Sequence, residues 1–298
     1  MIASLKSEIR KLLTVRSTYI LVIIALFLTT LFTFLSTSPV STQEQVSGKI
    51  IEQRNPDGSV KSFPDPKDPP VYVTHVERNL PKEKLLTNLQ GHLPILSLFV
   101  TVVVVLFMAH EFRYNTIAYT LTTARRRSTV LLSKLIVSTT FVAVITLLGI
   151  GLIVMTTYAA VGLKGLTLPA QDYNWWYVLG RLMGYSLGYS LAALAIIALV
   201  RNLTAGVAAI FVLPTINAIG AELLASRHIE ATRILPYTAL DRVSNLMGDY
   251  PPQNAPHDFL TDPSRLPASA LGAATVFGIY LVIIWAVAWI LFVRRDAN

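Results

Sequence analysis

Six long apolar runs constrain the fold of this chain more than any other feature of its sequence. An α-helix of about 20 apolar residues spans the hydrocarbon core of a bilayer, so each run predicts a transmembrane helix. Only 14% of the 298 residues are charged, against about 25% in soluble domains. We therefore predict an all-α polytopic membrane protein. The predicted spans are Tyr19–Ser36, Leu93–His110, Leu135–Val161, Trp176–Val200, Leu203–Leu224 and Ala268–Val293.

Basic residues near the span ends predict the orientation. One side of the predicted layout holds twelve basic and three acidic residues, in segments 1–18, 111–134, 201–202 and 294–298. The other side holds thirteen basic and fourteen acidic residues, mostly in longer connections. Short basic segments stay in the cytoplasm. We therefore expect both termini and segment 111–134 to be cytoplasmic.

The first 17 residues form a separate unit, a predicted cytoplasmic interfacial helix ahead of the six-span domain 18–298. Its apolar and polar residues fall on different faces at helical spacing, which suits a helix lying at the membrane surface. A simple orientation anchor explains the pattern equally well. A signal peptide also combines a basic segment with an apolar run, but Tyr19–Ser36 is longer than the usual apolar core of about 7–15 residues. The apolar face holds Ile2, Leu5, Ile9, Leu12 and Leu13, and the polar face holds Lys6, Ser7, Arg10 and Lys11.

Two longer connections lie on the predicted outer side. Segment 37–92 is an extracytoplasmic insertion in which "KIIEQRNPDGSVKSF" predicts two short strands around a Pro-Asp-Gly turn. The end of this insertion predicts a short helical approach to the second span. Segment 222–267 is predicted as an outer region of surface helices followed by a proline-rich loop. Just before it, Pro214 predicts a kink or break in the fifth span.

A row of small residues in the fourth span predicts close packing of another helix. Gly180, Gly184 and Gly188 repeat every four residues, and such spacing allows backbones to approach. The partner helix can belong to the same chain or to a second copy. Arg181 lies beside this row. Two roles fit its position: a structural one, with the guanidinium directed to the membrane–water interface, or a place on a polar pathway through the spans.

Sequence motifs for catalysis are missing. The chain has no phosphate-binding loop, no G-x-S-x-G elbow and no cysteine, and "HEFRY" lacks the second histidine of a zinc protease. Nor do His75 and His92 have the neighbours that a metal site needs. We therefore assign no catalytic, cofactor-binding or metal residues and do not expect an enzyme.

The segment between the second and third spans is the main cytoplasmic surface. Tyr114, Ile117, Ala118 and Leu121 share one face of a predicted helix, while Thr116 and Thr120 lie elsewhere around it. Such a helix between two spans would act as a lever for a cytoplasmic partner. Behind it, a basic cluster anchors the foot of the third span. The cluster consists of Arg125, Arg126 and Arg127.

The stretch "EFRYNTIAYTLTTARRRSTVLLSKLIV" resembles the cytoplasmic connection of ABC-2-type transporter permeases. The opening "SEIRKLLTVRSTYILV" is similar to the start of that family, and "LPYTALDRV" is similar to its Leu-Pro segment after the fifth span. The resemblance covers the whole six-span layout through motifs that are degenerate one by one. The outer insertion 37–92 is longer than in many simple members.

This resemblance implies a permease domain over residues 18–298 that exports a drug, lipid or peptide of hydrophobic or amphipathic character. It implies a second copy or a homologous permease as partner. It also implies two separate ATP-binding subunits, which bind ATP and Mg²⁺ and hydrolyse the ATP. It also implies a re-entrant outer portion after the fifth span, and a bacterial plasma membrane. The implied ATPase-coupling residues are Glu111, Phe112, Arg113, Tyr114, Ile117 and Leu121.

Two other functions are compatible with the residues. A membrane-embedded scaffold or sensor would use the outer insertion to bind a ligand or partner, without transport. An intramembrane enzyme would need polar residues clustered at one depth of the spans, and the sequence indicates no such cluster. Neither alternative gives the cytoplasmic lever a purpose. Nucleic acid is not an expected partner, because the basic residues follow the orientation pattern of a membrane protein.

Overall fold

The computed structural model describes residues 2–47, 50–54, 60–64, 71–113, 127–227, 234–246 and 269–294. Six of its helices are long and apolar enough to cross a membrane. This confirms the predicted number and order of the spans. The helices are α1 (Ile2–Thr14), α2 (Arg16–Ser36), α3 (Lys84–Arg113), α4 (Arg127–Leu163), α5 (Trp175–Val200), α6 (Leu203–Ala225), α7 (Pro236–Ser244) and α8 (Ala270–Arg294). The six long ones are α2, α3, α4, α5, α6 and α8.

Four strands in the outer insertion correct the all-α prediction. They are β1 (Val40–Ser47), β2 (Ile50–Arg54), β3 (Val60–Pro64) and β4 (Val71–Glu77). Strands β2 and β3 pair antiparallel from Ile50 opposite Pro64 to Arg54 opposite Val60, which confirms the hairpin predicted from the Pro-Asp-Gly turn. Strands β1 and β4 form a second antiparallel pair that the sequence pattern did not predict.

Helices α3 and α5 form the centre of the bundle. Helix α3 packs against α2, α4, α5 and α6, whereas α5 packs against α3, α4, α6, α7 and α8. Leucine and valine side chains from α3, among them Leu89, Leu93 and Val104, are fully buried in the core. The predicted helical approach to the second span is continuous with α3, which therefore starts at Lys84 and contains Pro94.

Buried hydroxyl groups connect the three most central helices. Ser186 of α5 bonds to Ser97 of α3 at 3.1 Å and to Thr146 of α4 at 2.7 Å. One turn further along, the hydroxyls of Thr101 and Ser190 lie 2.7 Å apart. Interhelical hydrogen bonds of this kind hold spans together, because lipid offers these groups no alternative partner.

Helix α6 runs through Pro214 without a break. Proline has no backbone N–H, so the carbonyl four residues earlier, that of Ile210, loses its helical partner. The hydroxyl of Tyr189 from α5 donates to this carbonyl at 2.8 Å. Neighbouring helices commonly satisfy such groups in membrane proteins. The helix is therefore not broken at Pro214, because a side chain from the adjacent span replaces the missing hydrogen bond. The kink that the sequence also predicts stays a prediction.

The nine-residue helix α7 is held at both ends by side chains from two spans. At its start, the Asn217 side chain of α6 accepts from the backbone N–H of Tyr237 at 3.2 Å and donates to Thr238 at 3.0 Å. At its end, the buried Arg181 of α5 donates to the carbonyls of Arg242, Val243 and Asn245 at 2.7–2.9 Å. Cations at helix C-termini are stabilising.

These contacts place α7 inside the bundle rather than on the outer surface where the sequence predicted it. Its Ala239, Leu240 and Val243 are buried against α5 and α8. The glycine row of α5 lies here: a Cβ at Gly188 would be 2.8 Å from Phe277 and 3.1 Å from Leu240. The close approach at Gly188 is thus within one chain, whereas a Cβ at Gly180 would meet no atom of this chain within 4 Å. Arg181 caps a helix instead of reaching outward to the interface.

Candidate functional site

The helix ends that carry the predicted cytoplasmic segments meet at one end of the bundle, which we call the basic end. Here α1 packs against the start of α4, and Arg201, which directly follows α5, contacts the last turns of α3 and α8. Two side-chain clusters, described below, hold these helices together. Because the predicted coupling segment connects α3 to α4, both clusters flank it.

Helix α1 has three distinct faces. Leu5, Glu8 and Leu12 share the side that packs on the bundle, where Leu12 joins Phe107 of α3 and Val137 of α4. Ile9 and Leu13, about 100° further round, are exposed apolar residues. Exposed basic residues cover the third side. This arrangement suits a helix that lies in the plane of a membrane surface, with one face on the protein and an exposed apolar face beside an exposed basic one.

The first cluster, the Glu8 cluster, consists of Glu8, Lys11, Lys134 and Phe107. The carboxylate of Glu8 pairs with Lys134 of α4 at 2.7 Å and with Lys11 at 2.8 Å. Only 2% of the Glu8 and Lys134 side chains is exposed, and the Lys134 ammonium lies 4.8 Å from the centre of the Phe107 ring. Removing one member of a buried ion pair costs about 3–5 kcal/mol. Glu8 of α1 and Lys134 of α4 therefore depend on each other for compensation of their buried charges.

The second cluster, the Arg201 cluster, consists of Arg201, Phe112 and Phe292. Arg201 follows the last residue of α5 and adopts a left-handed backbone conformation with φ of 55°, which turns the chain into α6. Its guanidinium carbon lies 5.9 Å from the Phe112 ring of α3 and 5.4 Å from the Phe292 ring of α8. Cation–π contacts at this distance are favourable. The cluster thus joins the ends of three spans.

The structure places the predicted coupling residues only in part. Phe112 is half-buried and belongs to the Arg201 cluster. Glu111 and Arg113 lie in the last turn of α3, and Arg127 is the first residue of α4; only their helical backbone is described. The remaining predicted coupling and anchor residues lie outside the described part of the chain. They are Tyr114, Ile117, Leu121, Arg125 and Arg126.

Segment 114–126 nevertheless has defined attachment points. It leaves α3 directly after Phe112 and Arg113, beside the Arg201 cluster, and it enters α4 one to two turns before Lys134. The two ends of this segment therefore lie beside the two clusters, one of which joins α3, α5 and α8 and the other α4 and α1.

Sequence reasoning does not identify the three charged residues that hold these clusters together. Glu8 carries a signal, because it interrupts the apolar face between Leu5 and Leu12 at helical spacing. Lys134 belongs to a degenerate motif at the start of the third span, and the sequence indicates no partner for it. Arg201 enters the sequence analysis only through the charge count that orients the chain. A long-range ion pair requires knowledge of which helices are neighbours, and periodicity does not supply it.

Comparison of the chain with protein-family models, with curated proteins and with solved structures finds no match. In the part of the chain that the structure describes, no group of three or more His, Cys, Asp or Glu side chains could hold a metal ion.

Proposed function

We propose that this chain is the transmembrane subunit of an ATP-driven transporter whose ATPase is a separate protein. The ATPase would dock on residues 111–121 at the basic end, with two copies expected for a dimer of permeases. The likeness of the cytoplasmic connection to ABC-2-type permeases supports this proposal. The proposed location is a bacterial plasma membrane, with both termini in the cytoplasm and hydrophobic or amphipathic substrates exported.

One structural observation carries the proposal. The buried Glu8–Lys134 ion pair fixes the interfacial helix to the foot of the third span, next to the predicted coupling segment. A scaffold or sensor has no need of an in-plane helix joined by a buried charge pair to the span that follows this segment. A transporter needs such a joint, because work done on the cytoplasmic segment must reach the spans.

Copurification tests the proposal. The tagged chain is extracted from its native membrane in mild detergent, and bound proteins are identified by mass spectrometry together with Mg²⁺-dependent ATP hydrolysis. Replacing Tyr114 or Ile117 by Asp should reduce both the recovered ATPase and the hydrolysis by about tenfold. A charge on the docking face would lose its water without gaining a partner.

The matched control is Thr120→Asp, which introduces the same charge in the same segment on another face of the predicted helix. It should retain the ATPase. Recovery of the chain without any ATP-hydrolysing partner would contradict the transporter assignment. Equal loss from all three variants would contradict the assignment of the docking face.

A further inference from the structure

Two basic side chains on α1 form an exposed positive patch. Lys6 and Arg10 are four residues apart and therefore share one side of the helix. Both are exposed, and among the described residues neither forms an ion pair or a side-chain hydrogen bond. Lys11, by contrast, is paired with Glu8. The described part of the chain therefore leaves two charges uncompensated, and we call this pair the Lys6–Arg10 patch.

The side of α1 next to this patch is apolar and adjoins the exposed side of the first span. Ile9 and Leu13 are 44% and 48% exposed although both are large and apolar. The hydroxyl of Tyr19, in the first turn of α2, donates to the backbone carbonyl of Leu13. Exposed apolar residues continue along α2 with Ile20 and Ile23. The exposed apolar side of a transmembrane helix faces lipid, so the same surroundings extend to Ile9 and Leu13.

The order of the residues round α1 brings the patch to the edge of this lipid-facing side. At 100° per residue, Lys6 lies about 60° and Arg10 about 100° from Ile9. The buried Leu12 lies about 60° from Ile9 in the opposite direction. Ile9 thus lies between the contact with the bundle and the basic pair. In a helix that lies in the membrane surface, charges at this position are level with the phosphate groups of the lipids.

The charge of the patch selects lipids with a net negative charge. Lysine and arginine donate to phosphate oxygens, and arginine can do so with two parallel hydrogen bonds. A zwitterionic headgroup contains its own ammonium group, which compensates its phosphate, whereas phosphatidylglycerol has no such group. Basic residues at the surface of an anionic leaflet are therefore attracted to it. An acidic soluble protein could pair with the same two charges, but the adjoining apolar residues Ile9 and Leu13 favour a bilayer.

We propose that the Lys6–Arg10 patch binds anionic phospholipids, with Ile9 and Leu13 inserted among the upper parts of the acyl chains. The proposal goes beyond transport, because it requires no ATPase and applies to any function of the chain. Glu8 on the buried side of the same helix pairs with Lys134 of α4. Lipids that bind the patch are therefore adjacent to a helix whose other side is fixed to the third span.

Quenching of a fluorophore on α1 by brominated lipids tests the site. The chain contains no cysteine, so Ile9→Cys carries a single bimane label on the full chain. The labelled chain is reconstituted, without any ATPase, in vesicles of phosphatidylcholine with a minor fraction of phosphatidylglycerol. Bromine atoms are placed on the upper acyl chains of either the one lipid or the other. Comparison of the two quenching values with the bulk composition measures the enrichment of phosphatidylglycerol beside the label.

We expect phosphatidylglycerol to be enriched about fivefold or more beside the label, because two basic residues face the headgroups. Replacing Lys6 and Arg10 together by Gln should bring the enrichment to about one, since both charges are then lost. High salt should reduce the enrichment of the labelled parent in the same direction, because it screens exposed charges. Melting temperatures of the variants verify that a lost enrichment is not caused by unfolding.

The matched control is Lys82→Gln with Arg227→Gln, which removes the same charge from two exposed residues outside α1. It should leave the enrichment unchanged. No enrichment in the labelled parent would overturn the proposal, as would equal enrichment after replacement of Lys6 and Arg10. A bimane emission maximum typical of water would also overturn it, and would indicate that this side of α1 faces a soluble partner. Because no ATPase is present, failure of this experiment leaves the transport proposal standing, and the reverse also holds.

Discussion

Single residues in this bundle matter most where a charge is enclosed by apolar atoms. Glu8, Lys134 and Arg181 each have opposite charges or carbonyls around them, so their charges are compensated within the chain. Asp241 is the exception among these groups, since its surroundings desolvate it and its described neighbours supply no cation. Its protonation should therefore influence the stability of the protein.

The pH dependence of stability tests this difference. The pKa of Asp241 is raised from 3.8 to about 7 in the folded protein, so the folded state binds a proton more tightly than the unfolded chain does. The stabilising effect of that proton is complete below about pH 4 and is lost as the pH rises through about 7. Asp241→Asn should therefore raise the melting temperature more at about pH 8 than at about pH 5.

The measurement is thermal unfolding of the detergent-purified chain, followed by tryptophan fluorescence. Asp172→Asn is a suitable control, because this exposed residue lies in the connection before α5 and not in α7. An Asp241→Asn gain that is the same at both pH values would mean that Asp241 is already ionised at the lower one.

At the scale of the elements, the hydropathy pattern alone is sufficient to predict the long helices. Each span is an apolar run bounded by polar residues, and this pattern requires no knowledge of neighbours. The position of α7 could not be predicted in the same way. Its location inside the bundle depends on Asn217 of the preceding helix and on Arg181, which reaches it from a helix that is distant in the sequence. The continuity of α6 likewise depends on a tyrosine from α5.

The glycine row gives a prediction for the packing of α5 against α7 and α8. Gly188→Ala should destabilise the chain by about 1–3 kcal/mol, the usual cost of overpacking a filled core. The added methyl would lie 2.8 Å from the buried Phe277 ring and 3.1 Å from Leu240. Unfolding in denaturant or on heating measures the loss.

Gly180→Ala is the matched control on the same helix. A Cβ at Gly180 has no atom within 4 Å, so this variant should be neutral or slightly stabilising, as alanine is the better helix former. Equal stability of the two variants would indicate that α7 and α8 move aside easily at this point.

At the scale of the whole molecule, different interactions hold the helices together at the two ends of the bundle. The basic end joins helices through charges and aromatic rings, whereas buried hydroxyls connect α3, α4 and α5 further along the spans. At the opposite end, Asn88 of α3 donates to Thr37 and Thr157 and so ties α2 and α4 together. Each end can therefore hold its own helix arrangement.

The Glu8–Lys134 ion pair at the basic end should show a large coupling energy between its two charges. Lys134→Met leaves the buried Glu8 carboxylate without its main partner and should lower stability by about 3–5 kcal/mol. The double variant Glu8→Gln with Lys134→Met removes both charges and should recover most of this loss. Chemical unfolding of the parent, the single variants Lys134→Met and Glu8→Gln, and the double variant under one set of conditions measures the coupling between the two sites.

If the Glu8–Lys134 ion pair transmits force between α1 and α4, the double variant should regain stability without regaining ATP hydrolysis. Its ATP hydrolysis with the copurified ATPase should stay below that of the parent chain, because α1 is then held by apolar contacts alone. Full activity in the double variant would show that the charge pair serves stability only.

The link between Tyr189 and Pro214 has a further consequence for the movement of α5 against α6. The Tyr189 side chain cannot rotate away from α6 without orphaning the Ile210 carbonyl, which has no helical partner to return to. The rotamer of one side chain in α5 is thus coupled to the backbone of α6. Sliding of the two helices past each other at this point therefore costs a buried hydrogen bond.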